Sequence, residues 1–532
     1  MTPKADRTDA LLWLAGLLLL ALVPVGRVSG DGLGYALSFA AGTWRLNPNH
    51  LLFEPAGAAW QALLSALGLT RPVVDQEKLL SLLAGAVGAA LFRFEVARRL
   101  AERRWGANYA TAGLVLGSAY LRLLVDDEFH MIQMPCLVGF AIAVLRYLER
   151  PRFTRALVAG ALAGLAALCF VSNLLLGVLA AVGLGVWHLT RGERGPALRA
   201  VAGTLAGLLG VAALGFGAGW GLARPGRPFL AWLLHYSGGN VQARLGLVYG
   251  THFTPDGLAS AVVHTLYGAA SAVVDLAPAV VAVRDEGEPG RAVPVVLALL
   301  LATAALGGGL WNAWRHRGEP EARATLLLQA IGWPAVLGFG IYWNDASAEF
   351  FLPLAVLLGA LAARLPDRPG RAAVVFGLAG GLALAWNAGD VVTRFVLYPR
   401  AEQTAALVRA VDGAGLVVVP GIDDASILLT LAAVPGNRAP AESLGLTDLA
   451  LALPEERGLE RLAAAVERTL AGGRRVDLVD LYDVPPFQFP WKFLRQLGYT
   501  PEAVRQTLDR FGVDREPRRA GAFQVRSIRP RR

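Results

Sequence analysis

The 532 residues are 55% hydrophobic and 17% charged, with a mean hydropathy of +0.47, against roughly 25% charge in an average soluble domain. That balance excludes an ordinary soluble globule and a disordered chain, and it points to a polytopic membrane protein before any motif is read. The 50 Lys+Arg against 41 Asp+Glu give a net charge of +9; the arginines stand in short loops between apolar runs, so topology rather than nucleic acid accounts for them.

A helix needs about 20 apolar residues to cross a bilayer core, and about eleven segments meet that pattern: 11–27, 79–97, 107–124, 132–148, 156–172, 174–189, 200–222, 292–314, 324–342, 350–365 and 372–386. The first has a basic start (Lys4, Arg7) like a signal peptide, but no small-x-small cleavage site follows, so an uncleaved span is expected. Cys136 and Cys169 fall inside apolar stretches, where a thiol acts as a small hydrophobe, and imply neither a disulfide framework nor a cysteine metal site.

The loop 28–78 opens with Ser29-Gly-Asp-Gly-Leu-Gly-Tyr35 and continues through Asn47-Pro-Asn-His50 to Glu54. Asp31 lies where the first span leaves the membrane; partial desolvation there suits a general base, and Asp equally suits a helix cap before Gly32. His50 and Glu54 are four residues apart, and amphipathic stretches near 34–44 and 56–67 would place Trp44 and Trp60 at headgroup level.

After the third span comes Val125-Asp126-Asp127-Glu128-Phe129-His130. Three adjacent carboxylates repel, so one must hold a proton or a cation must be present. In a helical turn Asp126 or Asp127 would share a face with His130. Oxygen ligands with one imidazole at Asp127, Glu128 and His130 would suit Mg or Mn, while a solvated acidic turn is the plain alternative.

The second long loop, 223–291, carries Arg244 and His252 among aromatics, and 259–283 is apolar enough for a further span or a re-entrant pair. Glu349 follows Asn344 and Asp345 at the mouth of the tenth span, where a carboxylate is costly unless it faces a polar cavity. Alternate loops are rich in arginine (98–104, 146–155, 191–199, 315–323, 364–371) and so are expected in the cytoplasm, which leaves the acids and histidines on the outer face.

From about Asp390 the composition turns soluble. Helical periodicity at 401–411 and 459–470 alternates with strand-like runs at 415–420, 475–482 and 522–528, which predicts a small α/β domain over 390–532 following a membrane domain over 1–389. It contains no GxGxxG or P-loop, so no nucleotide site is expected.

The Asp after the first span, the amphipathic first loop, the acidic cluster after the third span and the soluble tail together resemble the GT-C glycosyltransferases. These are polytopic enzymes that use polyprenyl-phosphate sugars, among them the protein O-mannosyltransferases of glycosyltransferase family 39 and the lipid A aminoarabinose transferases. Here Asp31-Gly32 stands where the O-mannosyltransferases have paired acids. The resemblance implies an all-α polytopic fold in a bacterial inner or plasma membrane, with the active site and tail outside. It implies catalytic roles for Asp31, Asp126, Asp127 and Glu128, while placement and charge, without a family signature, suggest substrate contacts at Tyr35, His50, Glu54, Arg244, His252 and Glu349. Its expected partners are a polyprenyl-phosphate sugar donor and a glycan, lipid or protein acceptor. A transporter or flippase, and a non-catalytic scaffold, are the rival readings.

Overall fold

The computed structural model describes the chain apart from residues 1–2, 23–31, 34, 36–37, 39–45, 70–72, 102–103, 127–129, 224–225, 227, 234–254, 285–288, 344–347, 366–370, 394–396, 422–427, 430–441, 483–490 and 531–532. It divides into two compact units. One comprises Met1–Val25, Gly34–Leu233 and Thr251–Val396; the other comprises Leu397–Arg532 with Gly26–Leu33 and Leu234–Gly250.

The first unit is a helical bundle: α1 Pro3–Leu18, α2 Phe53–Ala66, α3 Val73–Leu91, α4 Arg104–Val115, α5 Ser118–Val125, α6 Met134–Glu149, α7 Phe153–Cys169, α8 Leu174–Leu189, α9 Arg194–Ala223, α10 Pro255–Val273, α11 Val293–Arg315, α12 Pro320–Trp343, α13 Pro353–Ala362 and α14 Arg371–Val391. Each of the eleven apolar segments is mainly helical among the described residues, where six helices are long and apolar enough to cross a membrane. These facts make the chain an integral membrane protein. Helix α11 shows why: Val296, Leu297, Leu300, Leu310 and Trp311 are all exposed, a surface that water would penalise and lipid would not.

The third expected span is not continuous. Its helix breaks at Gly117, between α4 and α5, where φ −58° and ψ 136° leave the helical region. A break inside a bilayer frees backbone groups that no water can satisfy. Asn387 of α14 answers it: its buried amide donates to the Leu116 carbonyl at 2.6 Å and to the Val273 carbonyl at 3.0 Å, and accepts from the Asp275 N–H at 3.2 Å. The same side chain therefore closes a second break, at the end of α10, where the apolar stretch 259–283 splits into α10 and the short helix Ala277–Arg284. Helices α7 and α9 approach closely instead. A methyl group on Gly160 would lie 1.9 Å from the Thr204 carbonyl oxygen, so only glycine permits the contact.

The arginine-bearing loops gather at one end of this unit. Arg99 bonds Glu149 at 2.8 Å, Arg146 bonds Glu95 at 3.2 Å, and Arg364 reaches both Glu319 at 2.8 Å and the Leu100 carbonyl at 3.3 Å. There too, Arg93 lies wholly buried in a π-helical turn, Phe92–Ala97, that extends α3; it ion-pairs Asp6 at 3.2 Å and Asp9 at 2.6 Å and bonds Asn108 at 2.6 Å. This network fastens the start of α1 to α3 and α4. Only a charge with all its partners present is tolerable in such a place.

The second unit adds α15 Arg400–Val411, β1 Ala414–Val419, β2 Glu442–Gly445, α16 Leu446–Ala452, α17 Glu455–Ala471, β3 Arg475–Val479, α18 Pro501–Asp509, β4 Arg518–Ala520 and β5 Phe523–Ile528. The sheet order is β2-β1-β3-β5-β4, with β1, β2 and β3 parallel and the last two antiparallel. Alternation along β1 sends Leu416 and Val418 into one core with α16, α17 and α18, and Val417 and Val419 into the other with α15 and β5. This is the small α/β fold expected of the tail. Strands β2 and β4 went unpredicted because neither carries an apolar run.

Replacing Asn387 with Leu is expected to cost about 3 kcal/mol or more, since three backbone groups would lose their partner in a place without water. A fall of several degrees in the unfolding temperature of the detergent-solubilised protein checks it; an unchanged temperature would show that the breaks are held by packing alone.

Candidate active site

At the end of the bundle opposite the arginine loops, three short 3₁₀ turns meet: Pro48–His50, His130–Gln133 and Val171–Asn173. Helix α6 connects the two ends, since it starts at the His130 turn and finishes at Arg146 and Glu149.

Each turn has a local cause. In the first, Asn47 caps the turn by accepting the Asn49 N–H at 3.0 Å, and Pro48 presets the backbone angle. Just before it Leu46 adopts φ 44°, a left-handed conformation that a branched apolar residue rarely holds. Glu54 holds it there, with one carboxylate oxygen accepting the Leu46 N–H at 2.5 Å. The Leu52 N–H donates to the Leu168 carbonyl at 3.1 Å and pins the segment to the end of α7. In the third turn, the Asn173 amide donates to Gln133 Oε1 at 2.8 Å and to the Ala166 carbonyl at 3.0 Å, which explains how a Ser-Asn pair can turn an apolar hairpin.

The turns bring two imidazoles into an aromatic box. The His50 ring stacks on Phe53 with centroids 4.8 Å apart, and lies 4.9 Å from Phe170 and 5.4 Å from His130. His130 in turn is 5.1 Å from Phe53 and 5.6 Å from Phe170. Phe170 continues to Phe350 at 5.2 Å, and Tyr35 stands edge-on to Phe53 at 5.8 Å. Cys169 packs against Phe53, with Cys136 beside it.

Of the residues singled out in the sequence, His50, Glu54, Tyr35 and His130 share this site. Asp126 is buried at the end of α5, one turn of chain before His130, and Glu349 is half-buried next to Phe350. Asp31, Asp127, Glu128, Arg244 and His252 lie outside the described residues. Among the described residues no three of His, Cys, Asp or Glu are grouped to hold a metal ion.

The sequence reading missed Gln133, Phe170, Ser172 and Asn173. The available signal was the Ser-Asn pair interrupting an otherwise unbroken apolar hairpin. These buried groups retain bonding capacity: among the described residues Gln133 Nε2, Asn173 Oδ1, Ser172 Oγ and Glu54 Oε1 have no hydrogen-bond partner. A buried polar atom left so costs roughly 1–3 kcal/mol, and a site that receives a polar molecule is a natural place for several at once. The arrangement offers amide, hydroxyl and carboxylate groups beside rings wide enough to stack on a sugar or flank a phosphate. A cavity of about 100 Å³ between α4, α11, α13 and α14 shares none of these residues and is lined by apolar side chains and Tyr109.

No family model matches the sequence, and no curated protein matches it. Solved structures do. ArnT from Cupriavidus metallidurans bound to undecaprenyl phosphate aligns over 98% of this chain and 97% of its own, with a TM-score of 0.53 and 13% identity. The chain has the GT-C fold. Apo ArnT from the same organism gives a TM-score of 0.53 and 14% identity over 97% of each chain. The archaeal oligosaccharyltransferase AglB from Archaeoglobus fulgidus, in complex with an inhibitory peptide and a dolichol-phosphate, gives 0.49 and 13% over 95% of this chain and 72% of that one.

Glu54→Ala removes the acceptor that holds Leu46 in its left-handed conformation. A loss of about 2 kcal/mol is expected, together with faster amide hydrogen exchange across 46–52 than in the wild type. Unchanged exchange there would mean that Glu54 does not order the turn.

Proposed function

We propose that the protein is a membrane glycosyltransferase that moves a sugar from a polyprenyl-phosphate donor to an acceptor hydroxyl of a glycan, lipid or protein outside the cytoplasm. The observation that carries this reading is the meeting of His50, Glu54, His130, Gln133 and Asn173, distant along the chain, at the end of the bundle opposite the arginine loops. The alignment with ArnT over nearly the whole chain, in a structure that holds undecaprenyl phosphate, supports it. The arginine bias of the other end supports placing the site outside.

In this reading Asp31 takes the proton of the acceptor hydroxyl as its oxygen attacks the anomeric carbon. The bond from that carbon to the phosphate oxygen breaks with inversion, and polyprenyl phosphate departs. Imidazole N–H groups of His50 and His130 donate to phosphate or sugar oxygens, and the amides of Gln133 and Asn173 meet sugar hydroxyls. Arg244 and His252, from the second long loop, offset the charge on the departing phosphate. A divalent cation at Asp127, Glu128 and His130, with Asp126 alongside, is part of the proposal.

Purified protein incubated with a panel of polyprenyl-phosphate sugars and acceptors should release polyprenyl phosphate and form a glycosylated product. A transporter would form none. Asp31→Asn is expected to abolish product formation while the unfolding temperature holds, and normal turnover by that variant would remove Asp31 from the chemistry. His130→Ala should lower kcat/KM by about 10²-fold, the scale of one lost donor to developing charge. Activity lost to a chelator and restored by Mg or Mn would support the cation; activity indifferent to chelator would exclude it from the mechanism.

A further inference from the structure

Several charges described at the arginine-rich end are matched. Arg99, Arg146 and Arg364 have carboxylate partners, and Glu193 bonds His188 Nδ1 at 2.5 Å. Two guanidiniums gather at one ring. Arg191, in the turn after α8, lies 3.6 Å from the centre of the Trp187 ring, and Arg323, in the first turns of α12, lies 5.7 Å from the same ring. Among the described residues neither side chain has an ion-pair or hydrogen-bond acceptor, and Arg323 Nε is buried without one. Burial and the charge of Arg323 push the Arg191 guanidinium below its usual value, and the nearby Glu193 carboxylate offsets only part of that.

Two cations turned toward one ring, with their centres under about 10 Å apart and neither bonded to a carboxylate among the described residues, favour an anion beside them. The neighbouring surface says which kind. Leu175, Val178, Val182, Val186 and Leu189 are all exposed at helical spacing along α8 and form an apolar stripe that ends beside Trp187. A molecule with a phosphate at one end and long apolar chains at the other fits both features, and a tryptophan at the boundary suits a headgroup. We propose that Arg191, Arg323 and Trp187 bind the headgroup phosphate of an anionic glycerophospholipid from the surrounding leaflet, with its acyl chains along the α8 stripe. Basic pockets between spans recognise such headgroups by charge. This site is separate from the one at the other end of the bundle and does not depend on the activity proposed for it.

The test uses the purified full-length protein in detergent, with phosphatidylglycerol as the probe. Wild type should unfold several degrees higher with phosphatidylglycerol than with an equal amount of phosphatidylcholine, and should retain the anionic lipid in native mass spectrometry. Arg191→Gln/Arg323→Gln should lose the thermal response and retain at least about 10-fold less lipid, where each tenfold corresponds to about 1.4 kcal/mol. Arg150→Gln/Arg152→Gln, which removes two exposed arginines from the same end, should behave as wild type. Should the first double variant not fold, Arg191→Gln alone serves, since Arg191 is exposed. The proposal is overturned if the variant responds to phosphatidylglycerol as wild type does, if the control pair loses the response equally, or if inorganic phosphate at the same concentration raises the wild-type temperature as much.

Discussion

A polar group that leaves a helix inside a bilayer has no water to turn to, and the bundle is organised around that constraint. Asn387 meets it for two breaks at once, serving the carbonyls of Leu116 and Val273 and the N–H of Asp275. Without such a side chain α4 would have to run straight into α5, and α10 into its successor. The breaks allow short helices to tilt and end at different depths, which matters because the chain's turns lie where those helices end. Asn173 does the same on a smaller scale for the hairpin between α7 and α8.

Charge obeys the same rule more strictly. Arg93 sits at zero exposure, and a lone guanidinium there would be intolerable; Asp6, Asp9 and Asn108 surround it. The two aspartates come from the first turns of α1, so the first span is tied to α3 through the very residues that begin the chain's basic, polar start. Replacing such a pair with apolar residues is often neutral for stability, whereas removing one member is not. The network therefore reads best as a device that fixes the register of α1 against α3 and α4.

Much of this was legible in the sequence. Hydropathy located all six helices that are long and apolar enough to cross a membrane among the described residues, because a run of some 20 apolar residues finds a favourable solvent in little but a bilayer, and the arginine bias sorted the loops into two sets that meet at opposite ends. Helices at 401–411 and 459–470 and the strand at 415–420 followed from periodicity. What stayed hidden depended on long-range partners. Nothing around Gly117 announces a break, since the side chain that makes it tolerable stands 271 residues beyond Leu116. Arg93 falls inside the expected span 79–97 and is not singled out, because its partners Asp6 and Asp9 sit in a segment that resembles a signal peptide. His50 and Glu54 were recognised as polar groups near an interface, but Glu54 proves to be occupied on one oxygen with the Leu46 N–H. Ser172-Asn173 reads from sequence only as a hairpin turn, and Gln133, alone in an apolar run, looks like helix-to-helix glue.

The two ends of the bundle treat polarity in contrasting ways, and the contrast bears on where chemistry belongs. At the arginine end Arg93, Arg99, Arg104, Arg146 and Arg364 are each tied to a carboxylate, so the loops there are fastened to one another by charge. At the other end the aromatic box of Phe53, Phe170 and Phe350 walls in imidazoles, amides and the Glu54 carboxylate, among which Gln133, Asn173 and Glu54 keep hydrogen-bonding capacity to spare. Neutral donors in an apolar frame tolerate an empty site better than unpaired charges would, yet strengthen sharply once water is excluded and a charged group arrives. Such an end can wait for a ligand. Ion pairs between loops at one pole and reserved bonding capacity at the other are what a chain would need if it must stay anchored in a membrane while admitting a polar molecule from one side only.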